Sequence, residues 1–75
     1  MAQVFTIGRG DDCDIAIPSP YLSSNHLTIE LVDSSILIFR ITDQNSTNGT
    51  FVNGQKIDQA DISPSDQVHL GEYLL

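Results

Sequence analysis

Residues 46–54, Ser-Thr-Asn-Gly-Thr-Phe-Val-Asn-Gly, contain side chains that suit binding better than packing. Ser46, Thr47 and Asn48 stand in a row, and each offers a side-chain hydrogen-bond donor where a plain connection would need only one such residue. Hydroxyl and amide donors crowded on one loop indicate an oxygen-rich ligand. The start of this stretch is therefore predicted to be a binding loop.

Two Asn-Gly pairs govern the backbone of the same stretch. Both Asn48-Gly49 and Asn53-Gly54 supply residues that tolerate positive φ. The second pair lies between Thr50–Val52 and Gln55–Ile57, and a two-residue Asn-Gly connection between such runs is the signature of a β-hairpin. We therefore predict that Asn53 and Gly54 form a hairpin tip.

Length and composition predict one domain that spans residues 1–75. A chain of 75 residues buries only about 60% of the surface that its unfolded form exposes, and a hydrophobic content of 40% is enough for a single core. Cys13 is the only cysteine, which excludes an internal disulfide, and no Cys/His cluster has the spacing of a zinc site. We expect stability to come from packing, with no metal and no cofactor.

Charge and hydropathy argue against two classes of partner. Ten acidic residues against Arg9, Arg40 and Lys56 give a net charge of −7, so no basic face is present to neutralise nucleic acid. No stretch reaches the roughly 18 apolar residues of a membrane span, and residues 1–3 do not resemble the start of a signal peptide. We therefore expect a cytoplasmic protein that binds neither nucleic acid nor membrane.

Short runs of β-branched and aromatic residues predict an all-β fold. No segment has a convincing helical period, and polar loops are predicted over residues 9–13, 18–25 and 58–66. Seven to nine short strands at close intervals indicate an antiparallel β-sandwich, with a barrel as the alternative. The predicted strands are residues 4–7, 14–17, 26–32, 36–42, 50–52, 55–57, 67–70 and 73–75.

The order and spacing of several short motifs resemble those of the forkhead-associated (FHA) domain. These motifs are Gly8-Arg9, Ser23-Ser24-Asn25-His26, Asp43 followed by residues 46–54, and the late Leu70-Gly71. Each motif is common by itself, but the ordered set is specific and covers essentially the whole chain. The resemblance implies an eleven-stranded β-sandwich that binds phosphothreonine peptides in signalling through loops at one end. It also implies that the last strand of this chain is short.

The resemblance implies five phosphopeptide-binding residues. Arg9 matches the phosphate-binding arginine, and Ser23 matches a serine whose hydroxyl contacts the phosphate. Thr47 matches a further phosphate contact, and Asn48 matches the asparagine that binds the peptide backbone. Ser24 occupies a position where many members carry a basic or amide side chain, which is a departure. Arg9 would then be the only cation near the site, which predicts weak affinity.

Other positions match supporting roles in the family. Gly8, His26 and Gly49 are implied to be architectural, with the imidazole of His26 tying two loops together. Tyr21 lies where the family varies the residue that reads the third position after the phosphothreonine. The partner would be a phosphothreonine-containing protein, and basic flanks are expected because the net charge of −7 repels a phosphate at long range.

Several of these residues also allow other interpretations. Arg9 could be an ordinary solvated charge, and Ser24 could only cap a turn. Ser23 or Ser24 with His26 and Asp43 would supply the residue types of a catalytic triad. The chain has neither a nucleophile elbow nor a second histidine nearby, so an enzyme is not predicted. The aspartates near Cys13 lack the order of a calcium loop. A phosphate-independent protein-interaction domain on the same fold is the alternative function.

Overall fold

The computed structural model describes residues 3–75, and every regular element in this range is a β-strand. The nine strands are β1 (Val4–Gly8), β2 (Ile15–Ala16), β3 (Leu27–Asp33), β4 (Ile38–Asp43), β5 (Thr50–Val52), β6 (Gln55–Ile57), β7 (Gln59–Ile62), β8 (Val68–Leu70) and β9 (Tyr73–Leu74). Nine is within the predicted range and two fewer than the resemblance implies. No helix within residues 3–75 is long and apolar enough to cross a membrane.

The strands form two sheets. The larger has the order β2-β1-β3-β4-β7 and the smaller the order β6-β5-β8-β9. Neighbouring strands are antiparallel, except that β1 and β2 run parallel. One buried cluster combines residues of both sheets and of one loop: Ile7, Leu22, Leu27, Ile41, Ile62, Val68 and Leu70. The predicted all-β sandwich is confirmed. The prediction of one domain over residues 1–75 includes Met1 and Ala2, which lie outside the described residues.

Strand alternation explains which side chains form the core of the larger sheet. Ile7 lies opposite Leu27, and Ile29 lies opposite Ile41, so these apolar side chains share the inner face. Leu27 and Ile41 are fully buried. Burying one such side chain stabilises the fold by about 1.5–3 kcal/mol. The core therefore lies directly beneath the ends of β1 and β3, from which the polar loops emerge.

The hairpin between β5 and β6 turns at Asn53 and Gly54, as predicted. The φ angles of these residues are 52° and 84°, both in the left-handed region that a type I′ turn requires. The Asn53 amide also donates to Asp66 Oδ1 at 3.0 Å and accepts from the Gln67 N–H at 2.9 Å. These two hydrogen bonds connect the hairpin tip to the segment before β8.

The strand predicted over residues 36–42 begins two residues late. The Ser35 N–H and hydroxyl both donate to Asp33 Oδ1, at 3.0 and 2.7 Å, and close a turn directly after β3. Leu37 then adopts a φ of 54°, which lies outside the extended region. Ile36 and Leu37 are therefore exposed turn residues, and the strand prediction is wrong for them.

The loop predicted over residues 58–66 contains strand β7. Ala60 lies opposite Ile41, and Asp61 lies opposite Arg40 on the other face. The Arg40 Nε atom approaches Asp61 Oδ1 at 2.9 Å and forms an ion pair across the two strands. The loop prediction is wrong here because the alternation of this strand is only four residues long and becomes recognisable beside β4.

Candidate functional site

Two loops at one end of the sandwich are joined by their backbones. The first loop follows β1, and the second loop precedes β3. The Arg9 N–H donates to the Ser23 carbonyl at 2.9 Å, and the Gly10 N–H donates to the Ser24 carbonyl at 3.0 Å. Gly8 permits this approach, because a Cβ at that position would lie 2.3 Å from the Ser24 carbonyl oxygen. The structure therefore brings Arg9 and Ser23 together, and any side chain at position 8 would push their loops apart.

Ser23 also contacts a third loop, the one that follows β4. Its Oγ accepts a hydrogen bond of 2.9 Å from the Thr47 N–H. A hydroxyl has one donor and two acceptor lone pairs, so this bond leaves the Ser23 proton available. No acceptor for that proton is found within residues 3–75. Thr47 is exposed, and its backbone lies next to Ser23 at the meeting point of the loops.

His26 connects the second and third loops from below. The Ser23 N–H donates to His26 Nδ1 at 3.1 Å, and His26 Nε2 lies 2.8 Å from the Gly49 carbonyl. Since Nδ1 accepts, the ring hydrogen belongs on Nε2, which donates to Gly49. The imidazole is fully buried. The geometry is that of a structural brace between the loops.

Asp43 organises the third loop, a role that the sequence analysis did not assign. Its carboxylate accepts from the Ser46 N–H at 3.1 Å, from the Ser46 hydroxyl, and from the Thr50 hydroxyl at 2.8 Å. The Ser46 hydroxyl in turn accepts from the Gly49 N–H at 3.1 Å. Burial raises the pKa of Asp43, but the hydrogen bonds from Ser46 and Thr50 outweigh it and lower the pKa overall. The spacing Asp-x-x-Ser is the sequence signal for this turn.

The residues of a possible catalytic triad do not form one. His26 Nδ1 accepts from the backbone N–H of Ser23, and the Ser23 hydroxyl accepts from Thr47. Asp43 bonds to Ser46 and Thr50 instead of the imidazole. No hydroxyl in the described part of the chain is therefore activated by His26, which a triad requires.

Arg9 is exposed, and its side chain has no partner within residues 3–75. The one ion pair in this range joins Arg40 and Asp61, although Asp11 and Asp12 follow Arg9 closely in the chain. A second cation also lies near the loops. Lys56 Cε is 3.1 Å from the position that a Cβ on Gly49 would occupy. The expectation that Arg9 is the only cation near the site is wrong.

Ser24 contributes its backbone to the site. Its carbonyl accepts from the Gly10 N–H and from the Cys13 thiol, whose Sγ lies 2.9 Å away. Cys13 is buried, and its Sγ also lies 3.3 Å from Asn25 Oδ1. The Ser24 side chain is exposed and has no partner within residues 3–75. A role of its hydroxyl in binding stays a prediction.

A groove opens beside the third loop. Its volume is about 410 Å³, and its lining residues are Tyr21, Asn48, Phe51, Gly71 and Glu72. The Asn48 side chain forms one wall, because its Nδ2 donates to the Tyr21 carbonyl at 2.9 Å. Phe51 and Glu72 had no predicted role. The only sequence signal for Glu72 is that it follows the Leu70-Gly71 motif.

A two-sheet sandwich whose loops converge at one end is the architecture of a β-sandwich recognition module. The FHA domain family matches residues 5–71, and the chain belongs to this family of binding modules. The ABC transporter ATP-binding/permease protein Rv1747 of Mycobacterium tuberculosis is 40% identical over 65 residues, which are 87% of this chain and 7% of the relative. The glycogen accumulation regulator GarA of Mycobacterium tuberculosis is 31% identical over 72 residues, which are 96% of this chain and 43% of GarA. The chain thus spans less than half the length of these relatives.

Solved structures agree with this membership. The FHA domain of CT664 from Chlamydia trachomatis matches with a TM-score of 0.86 and 28% identity, over 96% of this chain and 72% of that one. A domain from a study of phosphothreonine-dependent FHA domain interactions matches with a TM-score of 0.80 and 34% identity, over 91% and 68%. The FhaA FHA domain, solved in complex with the intracellular domain of Rv3910, has a TM-score of 0.79 and 34% identity, over 91% and 71%.

Proposed function

We propose that this chain is a phosphothreonine-dependent peptide-binding module of a signalling system, and that it reads the modification without catalysing a reaction. The observation that carries the proposal is the position of Ser23 between two loops. Its carbonyl accepts from the Arg9 N–H, and its hydroxyl accepts from the Thr47 N–H. Three donor-bearing residues thus share one surface point, which suits a ligand with several acceptor oxygens.

A phosphate at this point would be held by three donors. The Arg9 guanidinium would give two parallel charge-assisted hydrogen bonds, which its planar fork is shaped to donate. The Ser23 hydroxyl retains a proton to donate, and the Thr47 hydroxyl would add a third contact. Since the net charge of −7 repels an anion at long range, these short-range bonds have to supply the affinity.

The peptide would be oriented by its contacts beside the phosphate. Asn48 uses one N–H to bond Tyr21, which leaves its carbonyl oxygen and a second N–H for the peptide backbone. Ser24 would offer a further hydroxyl at the rim. The threonine methyl, if fully buried, would favour phosphothreonine over phosphoserine by about 0.8 kcal/mol.

The partner would be a phosphothreonine-containing protein or peptide with basic flanks. Two solved relatives support this class of partner: FhaA in complex with the intracellular domain of Rv3910, and EmbR of Mycobacterium tuberculosis in complex with a low-affinity phosphopeptide. Basic flanks follow from the charge, because Lys or Arg residues would offset the repulsion between the phosphate and this acidic chain. Cytoplasmic location, and no binding to nucleic acid or membrane, are parts of the same proposal.

A second candidate function is phosphate-independent protein binding on the same fold. It is favoured by Ser24, an uncharged residue where many family members carry a basic or amide side chain, and by the apolar part of the groove at Tyr21 and Phe51. In that case the loops would contact a protein surface, and phosphorylation of the partner would not matter.

Isothermal titration with matched peptides separates the two candidates. A degenerate library supplies a phosphothreonine peptide, which is then compared with its threonine and phosphoserine forms. We expect binding of the phosphothreonine form, weaker binding of the phosphoserine form, and little binding of the unmodified peptide. Equal affinity for the phosphorylated and unmodified forms would overturn the proposal in favour of phosphate-independent binding.

A further inference from the structure

The groove beside Asn48 is continuous with the proposed phosphate site. Asn48 lines the groove, and the next residue towards the N-terminus, Thr47, is bonded through its N–H to Ser23. The volume of about 410 Å³ lies within the roughly 300–1,000 Å³ of small-ligand sites. A peptide whose phosphate lies at Ser23 therefore has a receptor for one further side chain directly beside it.

The floor of the groove depends on Gly71. Its φ of 62° is left-handed, and a Cβ there would lie 2.9 Å from Asn48 Cβ and 3.1 Å from the Tyr21 carbonyl oxygen. The Gly71 N–H donates to the Gly49 carbonyl at 2.8 Å. Gly71 thereby fixes the turn after β8 against the third loop, and this turn presents Glu72 at the groove.

The walls combine aromatic surface with one negative charge. The Tyr21 and Phe51 side chains contribute the aromatic part, and Tyr21 keeps 42% of its surface exposed. Glu72 is exposed and is the only ionisable carboxylate among the lining residues. It forms no ion pair within residues 3–75, where the single ion pair joins Arg40 and Asp61.

We propose that this groove selects a lysine or arginine side chain of the bound phosphopeptide, and that Glu72 is the specificity-determining residue. The inference rests on the proposed phosphothreonine binding and adds one position of the ligand to it. A long aliphatic stem would lie along the rings of Tyr21 and Phe51, while its cationic head reaches the Glu72 carboxylate. An acidic side chain would be repelled, and a short apolar one would leave the carboxylate without a partner.

Lys56 is the cation that lies beside the third loop. It is opposite Phe51 in the β5–β6 register, and its stem passes Gly49 on the side of β6. Glu72 follows Gly71 directly and lines the groove, whereas Lys56 is not among the lining residues. The charge that a cation meets in the lining of the groove is therefore the carboxylate of Glu72.

The test scans one residue of a phosphothreonine peptide at a time. At every flanking position lysine, norleucine and glutamate are compared by titration against the native chain, E72Q and E72K. E30Q is the matched control, because Glu30 is the only other glutamate, lies on β3 of the larger sheet, and gives the same change of net charge. We expect one position at which lysine binds about fivefold better than norleucine, the effect of an exposed ion pair.

The variants decide whether Glu72 causes that preference. We expect E72Q to abolish it, E72K to reverse it in favour of glutamate, and E30Q to leave it intact. A preference for lysine that persists in E72Q, or that falls equally in E30Q, would overturn the inference and assign the effect to net charge. The underlying function fails in a different way: then the native chain would bind phosphorylated and unmodified peptides equally at every position.

Discussion

The Ser23 hydroxyl accepts a hydrogen bond from the Thr47 N–H at 2.9 Å, although the two residues lie 24 positions apart in the chain. Replacement S23A removes this acceptor and the proposed phosphate donor together. We expect a loss of about 1 kcal/mol in the free energy of unfolding, as for one hydrogen bond, and at least a tenfold loss of phosphopeptide affinity. Urea unfolding and calorimetric titration measure the two effects. Unchanged phosphopeptide affinity would remove Ser23 from the site.

A side chain at position 8 is expected to impair phosphopeptide binding. In G8A the new Cβ would meet the Ser24 carbonyl oxygen at 2.3 Å, so the loops of Arg9 and Ser24 have to separate, at a cost of about 1–3 kcal/mol. G54A is the control, because Gly54 has a φ of 84° but open space around its Cβ position. Both variants should lose stability, while only G8A should lose phosphopeptide binding. Equal binding by both variants would contradict this.

Replacements of the two histidines, His26 and His69, are expected to differ in their effects on stability and binding. H26A deletes a fully buried ring that bonds the Ser23 N–H and the Gly49 carbonyl, so the loops lose their brace. We expect a cost of about 2–4 kcal/mol, because two buried polar groups lose their partner. In H69A a half-buried side chain of β8 is removed, and binding should persist. Thermal unfolding and peptide titration compare the two, and loss of binding in H69A alone would reverse the assignment.

The lowered pKa of Asp43 predicts that acid reduces the stability of the fold through this residue. Hydrogen bonds from Ser46 and Thr50 outweigh its burial and lower its pKa below the usual value of 3.8. A carboxyl whose pKa is lower when folded contributes stability that is full above its unfolded pKa and is lost as pH falls through its folded pKa. Urea unfolding should therefore show a shallower loss of stability below pH of about 4 in D43N than in the native chain. Parallel curves for the two chains would contradict the assignment.

Local signals explain the parts of the fold that the sequence predicts. Asn53 and Gly54 adopt their turn through backbone preferences carried by these two residues, and their hairpin is where it was expected. Strand β7 was missed because its four residues acquire a recognisable register only opposite β4. Leu37 was misassigned because an Asp33 turn overrides the β preference of an apolar run.

The candidate site likewise has a part that the sequence indicates and a part that it does not. The family motif indicates four residues that the loops bring to one end of the sandwich: Arg9, Ser23, Thr47 and Asn48. The groove could not be predicted, since Tyr21, Asn48 and Glu72 come from three segments whose approach depends on the left-handed turn at Gly71. The predicted hairpin already places Lys56 opposite Phe51, but the approach of its side chain to Gly49 is a tertiary contact that the sequence does not indicate.

The most direct test of the account follows the loops themselves during binding. A ¹⁵N-labelled chain is titrated with a phosphothreonine peptide and with its unmodified form, and the amide signals of Arg9, Ser23 and Thr47 are recorded by NMR. The account predicts that all three signals shift along one binding curve with the phosphopeptide and stay in place with the unmodified peptide. Equal shifts with both peptides, or shifts confined to residues away from these loops, would contradict it.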